Sequence, residues 1–151
     1  IFPMEYADIL ERHRVLHGTT PFEGIQVAPH DLRLELEQQA MGKVLRLRQG
    51  VMAAHGDGRR QVELLEGSLS TLMVIFRAVA RLHGEVPPTD YEALSRQIAS
   101  HAGFDAEPFL RVVHHVRGER KLAAAEAGRV LEAYLGGMER LVAHLDQFSG
   151  I

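Results

Sequence analysis

Residues 59–88 read RRQVELLEGSLSTLMVIFRAVARLHGEVPP, and this stretch decides the fold class. Val62, Leu65, Leu69, Leu72, Phe76 and Val79 recur at three- and four-residue spacing, with Met73 and Ala80 beside them. That period places them on one face of an amphipathic helix. Gly84 and Pro87-Pro88 end it, because glycine accepts the left-handed turn that closes a helix and proline has no N–H with which to continue one. From Arg59 to His83, at about 1.5 Å per residue, the helix spans close to 40 Å. A stripe of that length needs neighbours of comparable length.

Upstream, Pro29-His30-Asp31 marks a helix start with Asp31 as N-cap, and the pattern runs to the turn His55-Gly56-Asp57-Gly58. Leu36, Ala40, Val44, Leu47, Val51 and Ala54 form one apolar stripe. Leu34, Met41, Leu45 and Met52 form a second beside it, while Glu35, Gln39, Gly42, Arg46 and Gln49 make a polar stripe. Such a wide apolar surface predicts a helix contacted on two sides. The short turn at Gly56 makes this helix and the next antiparallel neighbours.

Downstream, Thr89-Asp90 opens a shorter helix to Ala102, and Gly103 breaks it. A second short helix covers Ala106 to Val116, with Phe109, Leu110, Val113 and Val116 inward. These two together fill the place of one long helix. Gly118 to Lys121 is a charged turn, and the last helix, Ala123 to Phe148, repeats Ala127, Leu131, Tyr134, Met138, Leu141 and Leu145. The fold class is therefore all-α, an antiparallel up-and-down helical bundle over residues 29–151.

Residues 1–28 read differently. Phe2, Met4 and Tyr6 alternate as in a short strand, Glu11 to His17 suits two helical turns, and Thr19 to Pro29 is a connector with an extended piece at Ile25 to Val27. A lone strand leaves both edges unpaired, so it implies a sheet supplied from elsewhere. Together with an opening at Ile1 rather than methionine, this predicts the edge of an upstream domain.

The 151 residues carry 46 % hydrophobic and 25 % charged side chains, an ordinary globular composition for one compact domain that buries roughly 70 % of its unfolded surface. A net charge of -3 gives no general attraction to nucleic acid or to an anionic membrane. No apolar run reaches the roughly 20 residues of a bilayer span. No secretory leader pattern opens the chain, and it has no cysteine, so a cytoplasmic location is expected.

Nine histidines raise the question of metal binding. His13 and His17 share a helical face, but a zinc site needs three or four ligands and no His-Glu-x-x-His or Glu-x-x-His run supplies them. His30, His55 and His83 stand at helix ends, where imidazoles act as ordinary terminal residues. Arg77 and His83 have the Arg-x4–6-His spacing of HEPN-like ribonuclease bundles. A dipole-favoured terminal histidine explains His83 equally well. Arg46, Arg48 and Arg77 cluster on the first two helices, and antiparallel pairing brings Arg46 near Gly67-Ser68. Glycine inside a helix costs about 1 kcal/mol against alanine, so small residues here mark either close helix packing or a shallow recess. A recess lined by Arg46, Arg48, Arg77 and Ser68 would suit a phosphate-bearing ligand. No nucleophile triad or Gly-rich phosphate loop is present, so the chain is not expected to be catalytic on its own.

Phe2-Pro3-Met4-Glu5-Tyr6-Ala7-Asp8-Ile9, followed by His13-Arg14-Val15-Leu16-His17-Gly18, Pro21-Phe22-Glu23-Gly24, Leu32 to Glu37 and Leu45-Arg46-Leu47-Arg48, resembles the region after the catalytic core in bacterial nucleotidyltransferase-like proteins. The resemblance implies a last core strand, a connector and an accessory, substrate-binding-like helical domain. In that family a Gly-Ser motif and an Asp-x-Asp pair in the core hold Mg and the nucleotide. This chain has neither motif, so both ligands would belong to a separate core domain. The family's third carboxylate would correspond to Glu5 or Asp8. A homodimer is a further expectation, and so is the contrasting reading as an interaction or dimerisation bundle in its own right, which predicts a continuous apolar patch on one outer face.

Overall fold

The computed structural model describes residues 29–148, five helices joined by short connections. They are α1 (Pro29–Ala54), α2 (Gly58–Leu82), α3 (Tyr91–Ala102), α4 (Glu107–Val116) and α5 (Ala124–Gln147). The strand, turns and connector expected before Pro29 lie outside the described residues, as do Glu5, Asp8, His13 and His17.

Local chemistry sets the boundaries. Pro29 opens α1 from inside the helix, where its missing N–H costs nothing. Asp31 therefore lies in the first turn, favourable to the helix dipole, rather than at the cap the sequence suggested. Asp57 and Asp90 cap α2 and α3, accepting the N–H groups of Arg59 and Ala93. Gly103 closes α3 at φ 75°, a left-handed conformation that glycine enters without Cβ strain.

α1 runs antiparallel to α2 and α5. Its start lies against the end of α5, where Arg33 Nη1 donates to the Leu145 carbonyl at 3.1 Å. α2 and α5 run parallel across the core: Gly58 abuts Ala124 where both begin, and His83 meets His144 where both end. α4 runs antiparallel to α2, with Phe109 on Phe76 and His115 bonded to Glu66. The two short helices fill the fourth position, as expected, and do so as a hairpin. The turn at Gly103 reverses the chain, and His114 and Arg117 at the end of α4 pair with Glu92 and Asp90 at the start of α3. α1 and α4 stand at opposite corners, without contact.

Leu36, Ala40, Leu65, Leu72, Met73, Phe76, Leu94, Ile98, Phe109, Leu131, Tyr134 and Leu141 are buried in one continuous core. Its centre is aromatic. Phe109 lies 5.6 Å from Phe76, 5.1 Å from Phe104 and 4.6 Å from Tyr134, centroid to centroid. Gly137 makes room for it, since a Cβ there would stand 2.6 Å from the Phe109 ring.

Candidate functional site

α1 buries only one of its two apolar stripes. Leu32, Leu36, Ala40, Val44, Leu47 and Ala54 are in the core, whereas Leu34, Met41, Leu45 and Met52 are 38, 44, 53 and 74 % exposed. At 100° per residue the second set lies nearly opposite Leu36 and Leu47. α1 is indeed contacted on two sides, but α2 and α5 both meet the Leu36 side, and the second stripe faces outward. These four large apolar side chains are aligned on one exposed side of the helix.

Charge flanks this stripe unevenly. Glu37 lies next to Asp146 of α5, and partial burial together with that neighbouring carboxyl raises its pKa above the usual carboxylate value. Three helical turns on, Arg48 pairs with Glu139 of α5.

The residues proposed from sequence for a phosphate site have unlike settings. Ser68 is buried, donates to the Leu65 carbonyl at 2.9 Å and stands 2.8 Å from the Tyr134 hydroxyl. Its hydroxyl belongs to the core. Gly67, expected at a close helix approach, is exposed, and a Cβ there would meet nothing within 4 Å. The tight approaches are at Gly50, Gly58 and Gly137. Arg46 is exposed on the polar side of α1, and Arg77 is half-buried on α2.

His83 has a different setting from the one its position in the sequence suggests. Its ring stacks on His101 at 3.9 Å and on His144 at 5.1 Å, with Phe148 edge-on at 4.8 Å. Its Nε2 is 2.9 Å from His144 Nε2, so one imidazole donates and the other accepts. His101 in turn meets Glu85 at 2.7 Å. Burial, followed by the two imidazoles, lowers the pKa of His83; burial, followed by His101, lowers that of His144. No spacing along the chain announces this cluster, because its members come from the ends of three helices. His115 on α4 is also fixed: its Nδ1 accepts the Leu122 N–H at 2.8 Å, so its proton sits on Nε2 and is donated to Glu66 at 2.9 Å.

A recess of about 280 Å³ between α4 and α5 is lined by Asp105, Glu107, Arg111, Glu126 and Arg129, with Arg111 and Glu126 paired to each other. Among the described residues no three His, Asp or Glu are grouped to hold a metal ion, and no helix is long and apolar enough to cross a membrane. The chain matches no protein-family model, no curated protein and no solved structure.

Proposed function

We propose that this bundle is the accessory, substrate-binding-like helical domain of a nucleotidyltransferase-like protein, not catalytic by itself, and that it is built against a core carrying the Gly-Ser and Asp-x-Asp motifs. The outward apolar stripe of α1 carries the reading. It lies on the helix that directly follows the 28 residues whose segments resemble the end of such a core, and an apolar face of this length is suited to attachment. Mg and the nucleotide would sit in that core, with Glu5 or Asp8 as the carboxylate nearest to it. Arg46 and Arg77 are the cations the bundle would offer a phosphate-bearing substrate, whereas Arg48 is shared with Glu139 and Ser68 is committed to the core. The coding sequence upstream of Ile1 tests this. It is expected to specify a Gly-Ser motif followed by Asp-x-Asp, and its absence ends the reading.

A second reading, an association bundle in its own right, is favoured by the length of the stripe, which continues from Leu34 to Met52. The ribonuclease reading of Arg77 and His83 gains less support, since the His83 ring is held between His101 and His144. Unchanged RNA cleavage in a His83→Ala variant would end it.

A further inference from the structure

The exposed side of α1 is more ordered than a scatter of surface leucines. Leu34, Gln38, Met41, Leu45, Arg48 and Met52 follow one another at spacings of four, three, four, three and four residues. That is the seam spacing of a two-stranded coiled coil, here about 27 Å long at 1.5 Å per residue. All six side chains are exposed, and they lie on the side of the helix away from the core.

The seam is also self-complementary about its midpoint. When a second α1 is laid antiparallel with Lys43 at the centre, Leu34 faces Met52, Gln38 faces Arg48 and Met41 faces Leu45, and the same three pairs recur on the other side of the two-fold axis. Every apolar member meets an apolar member, and the two polar members meet each other. Gly42 lies beside this midpoint, where a Cβ would meet nothing within 4 Å in the chain itself, and it leaves the crossing point open to close approach.

Charge selects the antiparallel orientation. Pro29–Gly42 carries Asp31, Glu35 and Glu37 against Arg33, whereas Lys43–Ala54 carries Lys43, Arg46 and Arg48 and no acid. Parallel pairing would set like against like. Antiparallel pairing brings Arg48 of one copy, which is paired with Glu139 in its own chain, beside Glu37 of the second, one residue off the seam register, while Lys43 and Arg46 lie off the seam. Glu37 is already paired with Arg33 at 3.3 Å and stands beside the Asp146 carboxyl, so the second copy's Arg48 would add a cation to a site that holds two carboxylates and one arginine.

We infer that the outer face of α1 binds a second copy of this chain, forming an antiparallel two-fold dimer whose axis crosses the seam midway between Met41 and Leu45. This rests on the second functional reading and competes with the transferase one for the same face of α1. A single helix pair lies at the small end of specific interfaces, under about 1,200 Å², so the dimer has a dissociation constant in the micromolar range.

Sedimentation equilibrium of the 151-residue chain, from about 1 to about 200 µM, is expected to show reversible association to twice the 16.8 kDa chain mass. Leu45→Glu changes a side chain that is 53 % exposed within the chain, so the variant should keep its helical circular dichroism and its Tm at concentrations where the wild type is monomeric. Its self-association should be lost. Arg48→Glu and Glu37→Arg should each raise the dimer Kd roughly tenfold, and the double exchange should recover part of it, because each exchanged residue also meets a like charge in its own chain, Glu139 or Arg33.

Orientation is read by disulfide trapping in a chain that contains no cysteine of its own. Leu34→Cys combined with Met52→Cys should form covalent dimers on oxidation, and neither single variant should. Cross-linking by the Met52→Cys variant alone indicates parallel pairing and overturns the inference. A chain that stays monomeric at 200 µM overturns it as well. If Met52→Cys in that monomer also reacts slowly with a thiol reagent, another occupant covers α1, and the face remains an association surface while the homodimer is excluded.

Discussion

At Ser68 and Tyr134 the direction of a buried hydrogen bond follows from counting protons. The Ser68 hydroxyl has one proton and gives it to the Leu65 carbonyl at 2.9 Å, so across the 2.8 Å contact the Tyr134 hydroxyl is the donor. Burial raises the Tyr134 pKa well above that of a free phenol, and the hydroxyl keeps its proton throughout the neutral range. The two truncations are therefore unequal. Tyr134→Phe deletes one bond and leaves Ser68 still bonded to Leu65, a loss of about 1 kcal/mol, whereas Ser68→Ala strands a buried donor and should cost about 2 kcal/mol. Urea denaturation of both variants checks the order, and equal losses would sink the assigned direction. In the sequence Ser68 is only a polar break in an apolar helix. Nothing local indicates that its partner is Tyr134, 66 residues away.

At the scale of the elements, glycines separate close approach from open surface. A Cβ on Gly58 would lie 2.2 Å from the Ala124 carbonyl oxygen, so the first turn of α2 is held against the first turn of α5 backbone to backbone. Gly58→Ala should destabilise by about 1 to 3 kcal/mol, since backbone on both sides must shift. Gly67→Ala places its methyl in open space in mid-helix and should stabilise by roughly 1 kcal/mol. Differential scanning calorimetry should show Tm moving in opposite directions for the two. The sequence marks both glycines as punctuation or small residues of α2 and does not rank them, because the ranking depends on which helix passes in front of each. The two stripes of α1 make the same point. Both are legible as helical periodicity, yet only packing shows that α2 and α5 approach from the Leu36 side and leave Leu45 outside.

For the whole molecule, the ends of α2, α3 and α5 are joined by His83, His101, His144 and Glu85, and this junction makes stability depend on pH. The imidazoles of His83 and His144 are partly withdrawn from water and face one another and His101, and both have pKa values below the ordinary 6.5. The unfolded chain then binds these protons first. Their contribution is complete above about pH 6.5 and declines as the pH falls from there to the lowered native values. Glu85 also has a lowered pKa, because its carboxylate accepts from His101, and its contribution declines only as the pH falls below the usual carboxylate value of 4.5. Tm is expected to hold from about pH 8 to about pH 6.5 and to fall from there to about pH 5, and His144→Phe, which keeps an aromatic ring but no titrating group, should lessen the fall. An equal fall in the variant would place the sensitivity elsewhere. The amino-acid sequence by itself determined that residues 29–148 form helices and roughly where each begins and ends, because apolar periodicity, Asp caps and Gly or Pro stops act within a few residues of one another. Only the tertiary structure decided which stripe of α1 is interior, that the two short helices fold into a hairpin, that Ser68 belongs to Tyr134, and that three distant histidines share one stack. Those outcomes depend on which elements stand beside each other, and that is settled by burial of the whole core rather than by any local pattern.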